Sequence, residues 1–102
     1  MKIAVPVHHD MKCAPFESCD EFALFEIEGT RIATQTTLPQ PEGSDCHAWL
    51  RSRGVNLVLT ARMAASSRDR FGLLGMRVVT DVPTRRADEL TRDYLLGQMA
   101  SA

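Results

Sequence analysis

Residues 54–80, GVNLVLTARMAASSRDRFGLLGMRVVT, decide the fold. Gly54 stops the helix before it, and Val55 to Thr60 is a continuous apolar run. A helix from about Met63 to Leu74 ends at Gly75, and Met76 to Thr80 is another strand. Short runs apolar on every side chain, rather than on alternate ones, belong to strands covered on both faces. Strand, helix, strand in that order predicts parallel neighbours joined by a right-handed crossover.

Outward from this unit, Ser44 or Asp45 can cap a helix through Arg53. After the unit, Thr84 is the candidate cap of a last helix that sets Ala87, Leu90 and Tyr94 on one face and stops at Gly97. Met99 to Ala102 is expected to fray. On the N-terminal side, Lys2 to Val7 is an alternating strand with Ile3, Val5 and Val7 on one face, closed by Pro6 and the polar residues after it. Met11 to Glu21 has no sustained period and is expected to be a loop. Phe22–Ile27 and Thr30–Thr36 form a hairpin turning at Gly29, and Leu38 to Ser44, with Pro39, Pro41 and Gly43, is expected to be a surface loop. The expected architecture is one α/β domain over residues 1–102, with a mixed five-stranded sheet and the order β-β-β-α-β-α-β-α.

The chain has 102 residues, of which 12 are basic and 13 acidic, leaving a formal charge of -1. That balance gives no global field for nucleic acid or an anionic membrane, so neither is an expected partner. It conceals an asymmetry: residues 1–50 carry three basic and eight acidic side chains (-5), and residues 51–102 carry nine basic and five acidic (+4). No apolar run approaches the ~20 residues that span a bilayer. Met1 to Pro6 reads as a strand, not a signal peptide, and the expected location is the cytoplasm. Three cysteines are an odd and sparse count for a secreted scaffold, which points to free thiols or soft metal ligands.

In α/β sheets, ligands sit beyond the carboxyl ends of the parallel strands. The loops there are His8 to Cys13, Ala61 to Ser66, and Asp81 to Pro83, with the Pro-rich loop feeding Cys46 and His47 nearby. Every cysteine and histidine falls in or beside the first loop or the Cys46 segment. Thiolate with imidazole is a donor set for zinc, copper(I) or iron–sulfur chemistry, although the spacing is not that of a zinc finger. Cys13 and Cys19, each taken alone, read as small, partly buried side chains or free thiols before they read as ligands. Cys46, at a helix N-terminus, is expected to have a lowered thiol pKa. His8 and His9 point to opposite faces if the strand continues, so one at most serves a site. His47 is a further candidate. Arg62 directly follows the fourth strand and suits an anionic cluster or phosphate, whereas Arg68 and Arg70 read as a solvated face. Met63 is either core filler or a soft contact. No Gly-x-Ser-x-Gly, glycine-rich phosphate loop or nucleophile with an evident base is present, so no enzyme is expected. The one enzymatic alternative is a thiol chemistry at Cys46.

The order of these pieces resembles the dinitrogenase iron-molybdenum cofactor biosynthesis family, also called nitrogenase accessory factor-like. The carriers are Met1 to Pro6, Phe16 with Phe22 to Ile27, Leu50 with Gly54 to Leu59, Leu74 to Val78, and Leu90 to Gly97. The resemblance implies a ribonuclease H-like three-layer fold and a small carrier or scaffold for iron-molybdenum cofactor, a precursor or a related metal–sulfur cluster. It implies cofactor-assembly proteins as partners. The state is a monomer or homodimer. On that reading Cys13, Cys19, Cys46, His8 and His47 are candidate metal ligands, and Arg62 and Met63 contact the cargo. Two departures stand out. Where the family often has His-Phe-Gly in the first loop, this chain has Pro15-Phe16-Glu17, and where it has a glycine-rich turn after the fourth strand, this chain has Ala61 to Ala65. The alternative they raise is a metal-free interaction or small-ligand module of the same fold.

Overall fold

The computed structural model describes residues 1–41 and 45–97; the expected Ser44 cap, Gly43 and the fraying of Met99 to Ala102 lie outside the described residues. Strand β1 (Lys2–Val7) leads through a single 3-10 turn at Phe16–Ser18 to β2 (Glu21–Glu28) and β3 (Arg31–Pro39). Helix α1 (Cys46–Ser52), β4 (Leu57–Leu59), α2 (Ala65–Leu73), β5 (Arg77–Val79) and α3 (Ala87–Leu95) complete the chain. The sheet order is β3-β2-β1-β4-β5. β1, β4 and β5 run parallel, and β2 and β3 run antiparallel as a hairpin at one edge.

The alternation read in β1 sorts two cores. Ile3, Val5 and Val7 join Leu57, Leu59, Ala87 and Leu90 on one face, so α3 covers that side. Ala4, Val58, Leu50 and Phe71 meet on the other, beneath α1 and α2. The result is helix, sheet, helix in three layers.

Several boundaries differ from the sequence reading for stated reasons. β1 runs from Lys2 to Val7 as expected, with Pro6 inside it. Pro6 lacks an N–H, but its carbonyl accepts from the Ala14 N–H at 2.9 Å, and β4 pairs only with Ile3 and Ala4. β3 extends through Pro39 into the expected loop because Thr37, Leu38 and Pro39 continue the ladder against Ala23, Phe22 and Glu21. The expected loop before β2 contains the 3-10 turn, with Phe16 buried. β4 and β5 are shorter than read, and Thr60 continues as a backbone bond to the Val79 carbonyl. The last helix begins at Ala87 with Arg86 at its cap position and no side-chain cap. Thr84 therefore does not cap it: Lys12 bridges Arg86, and the Arg85 carbonyl accepts from the Cys13 N–H, holding that segment outside the helix. Glycines end the hairpin and helices as expected, with Gly29 at φ 63° and Gly54 at φ 82°.

Candidate functional site

Loops after β1, β4 and β5 meet at one end of the sheet, where Pro15, Glu17, Arg62, Met63, Ala64, Ala65, Arg68, Thr80 and Asp81 line a cleft of about 510 Å³. Backbone pairing builds its floor. The Phe16 N–H donates to the Arg62 carbonyl at 2.8 Å, and the Asp81 N–H donates to Ala61 at 3.1 Å. The buried Thr60 hydroxyl lies 2.9 Å from the Arg62 carbonyl and 3.1 Å from that of Ala14. Asp81 holds φ 60°, a left-handed conformation that aspartate tolerates better than most residues.

Helix α2 opens into this cleft without a cap of its own and without an acidic residue in its first turn. Glu17, from a loop distant in sequence, supplies the missing acceptor: its Oε1 takes the Ala64 N–H at 2.7 Å. A carboxylate at a helix start is favoured by the unpaired amides and the helix dipole. The charged lining is thus Arg62 and Arg68 against Glu17 and Asp81. Arg68, read from sequence as solvated, and Glu17, read only as a departure, are the two cleft residues that pattern reasoning missed. Arg68 carries a weak signal, six residues past Arg62 at the start of α2; the Glu17 contact spans 47 residues and carries none.

The sulfur and imidazole groups are arranged differently. Cys13 is fully buried in the core under α3. Cys19 is buried in the opposite core, and Cys46 packs against that same core. Burial pushes the Cys13 thiol up to about 11, against a lowering backbone bond at Ala61. Burial, then the neighbouring Cys46, pushes Cys19 up to about 12. Cys46 itself is raised to about 11 by burial and then by the Asp45 carboxylate. The expected lowering at a helix start fails because α1 begins beneath packed side chains and its cap is an anion.

His47 is 7% exposed. Its ring lies 4.4 Å from that of Phe71 and 5.3 Å from that of Phe16, centroid to centroid. Asp45 accepts from the His47 amide at 3.0 Å and meets its Nδ1 at 3.2 Å. Desolvation works to raise the Asp45 carboxyl; the His47 amide and ring, then the Arg70 guanidinium, outweigh it and hold the carboxyl below its ordinary range. A carboxylate on Nδ1 favours the tautomer in which Nε2 keeps a lone pair, and among the described residues His47 Nε2 is buried with no partner. Orientation of this kind accompanies metal-ligating imidazoles, so the donor chemistry of His47 fits a metal. The geometry around it is closed, since aromatic rings cover it. His8 is on the surface beside Asp20, with His9. Among the described residues, no group of three or more His, Cys, Asp or Glu side chains is gathered as a ready metal site. None of their helices is long and apolar enough to cross a membrane.

The family model described as dinitrogenase iron-molybdenum cofactor matches residues 1–97. The chain belongs to that family. No protein with a curated description matches it. Among solved structures, the protein PH0822 is 22% identical, with a TM-score of 0.89 over 100% of this chain and 96% of its own. The apo form of the orange protein from Desulfovibrio gigas is 15% identical, with a TM-score of 0.78 over 99% of this chain and 92% of its own. At these identities the likeness establishes a shared fold.

Proposed function

We propose that this family member is a small carrier or scaffold that holds iron-molybdenum cofactor, a precursor or a related metal–sulfur cluster in the cleft at the carboxyl ends of β4 and β5. The observation that carries the reading is the cleft lining, where Arg62, Met63 and Arg68 meet at the start of α2, whose first turn has no acidic residue. Guanidinium groups donate in a planar fork suited to the oxygen and sulfide atoms of an anionic cluster. Met63 offers a polarizable thioether contact. Asp81 supplies a hard oxygen donor for a metal atom at the cluster surface, while Glu17 holds the Ala64 amide that an anionic cargo would otherwise reach.

Residues 15–17 form the partition between the cleft and His47. Pro15 and Glu17 line the cleft while Phe16 packs on the imidazole. Soft ligation by His47, Cys46 and Cys19 follows only when that partition opens. Cys13, in the opposite core, and His8, at the surface, stand apart from those three. The unit acts as one ribonuclease H-like domain over residues 1–102, in the cytoplasm, passing its cargo among cofactor-assembly proteins without catalysing a reaction. A metal-free interaction or small-ligand module is the second reading, favoured by the raised thiols and by the Glu17 carboxylate already on α2.

Anaerobic reconstitution with iron, sulfide and molybdate, followed by metal analysis, is the test. Wild type is expected to retain metal, and Arg62→Ala with Arg68→Ala to lower retention about tenfold, the loss of one charge-assisted hydrogen bond or more. The carrier reading fails if wild type and the Cys13→Ser, Cys19→Ser, Cys46→Ser variant hold equally negligible metal.

A further inference from the structure

The sheet has two edges, and they are guarded unequally. β5 is only three residues long and begins with exposed Arg77. β3 is nine residues long, with a largely exposed run from Ala33 to Thr36, and no charged side chain lies between Arg31 and Pro39. Long uncharged edges are what folded proteins usually blunt with lysine, proline or a bulge. Here a register shift opposite Glu26 and Ile27 places an extra residue, Ala33, in β3. The regular edge is therefore Thr34 to Leu38.

The direction of its free backbone groups follows from the ladders. Lys2 turns away from β2: its N–H donates to Asn56 Oδ1 at 2.9 Å and its carbonyl accepts from the Asn56 N–H. Pro6, which has no N–H, likewise turns its carbonyl to Ala14. Their β2 partners, Glu26 and Phe22, must then direct their groups toward β3, onto Thr34 and Leu38. Antiparallel ladders alternate, so Gln35 and Thr37 point N–H and C=O outward. No described residue pairs with them.

We propose that this edge joins a second copy of the chain, antiparallel, with a two-fold axis at Thr36. The register is self-complementary. Gln35 exchanges both backbone hydrogen bonds with the partner's Thr37, and Thr37 does the same with the partner's Gln35. Thr36 faces the partner's Thr36 across the axis, and Thr34 faces the partner's Leu38. Threonine pairs across strands are favourable, and no charge opposes a like charge. The two five-stranded sheets become one continuous sheet, an isologous contact that closes on itself. The proposal is independent of the cleft, which lies beyond β4 and β5.

Sedimentation velocity across micromolar to millimolar chain concentration tests it. Wild type is expected to shift from monomer to dimer. Thr37→Pro removes an outward N–H that the fold itself does not use, so its circular dichroism stays native while it remains monomeric. Thr36→Lys and Thr36→Glu are each expected to be monomeric, and their equimolar mixture to dimerise again through opposite charges at the axis. Wild type that stays monomeric throughout overturns the proposal. So does a dimer that survives in the Thr36→Lys and Thr36→Glu proteins taken separately.

Discussion

The cleft at Arg62 and the pocket at His47 lie on either side of the same three residues, Pro15 to Glu17, yet they have opposite physical character. The cleft is open and charged, with an amide-rich helix start. The surroundings of His47 are closed and aromatic, within the core that holds Cys19 and packs Cys46, and among the described residues its Nε2 is buried without a partner. Donor type alone would place a metal beside His47, whereas accessibility favours the cleft for the proposed cargo. The lesson is that ligand chemistry written in a sequence marks a site only when the fold leaves those atoms reachable.

Breaking the pocket is expected to give the largest effect. Phe71 is fully buried and packs edge-on against Phe16, at 5.3 Å between centroids, as well as on His47. Phe71→Ala should cost about 3–5 kcal/mol in urea unfolding. It should also make His47 accessible to diethyl pyrocarbonate.

A second contrast concerns pH. The three thiols have folded-state pKa values raised above the ordinary 9.0, to about 11 for Cys13, about 12 for Cys19 and about 11 for Cys46. The folded chain therefore holds those protons more tightly than the unfolded chain. Their stabilising contribution is complete below pH 9 and is lost as pH rises through the folded values. Stability is expected to fall across that window. The triple Cys→Ser protein should lack that fall, while the cleft variants Arg62→Ala and Arg68→Ala should retain it.

Effects at the cleft should be smaller on stability and larger on binding. Arg62→Ala should leave the unfolding free energy within about 0.5 kcal/mol, as surface changes usually do, while weakening anion binding about tenfold. Glu17→Gln trades a carboxylate for a weaker acceptor at the Ala64 amide. It should cost about 0.5–1 kcal/mol of stability and tighten the binding of molybdate or thiomolybdate by calorimetry, because the cargo no longer competes with a tethered anion. If stability and binding fall together, Glu17 serves the cargo instead of competing with it.

The sequence made the sheet legible because β1 alternates, Gly29 interrupts the hairpin at a turn, β4 is apolar on every side chain and β5 carries paired valines after Arg77. Arg62 and Met63 were legible as site residues because any side chain just past a parallel strand faces the ligand end. Boundaries set by distant partners were not legible: the start of α3 depends on Lys12 and Cys13 holding Arg85 and Arg86. The cysteines read as falling in or beside loops that could meet at one end of the sheet. Their division between the two cores depends on packing that spacing does not encode, and it separates Cys13 from Cys19 and Cys46. The Glu17 contact to α2 escaped for the same reason.

The central claim is that the cargo enters the cleft and reaches the pocket, if at all, only through the partition. It is tested most directly by following backbone amide NMR signals during anaerobic titration with tetrathiomolybdate, a molybdenum–sulfide anion. The expected result is a saturable set of shifts at Glu17, Arg62 to Ala65 and Asp81, lost in Arg62→Ala with Arg68→Ala. Shifts confined to Cys19, Cys46 and His47, or no saturable shifts at all, would contradict the account.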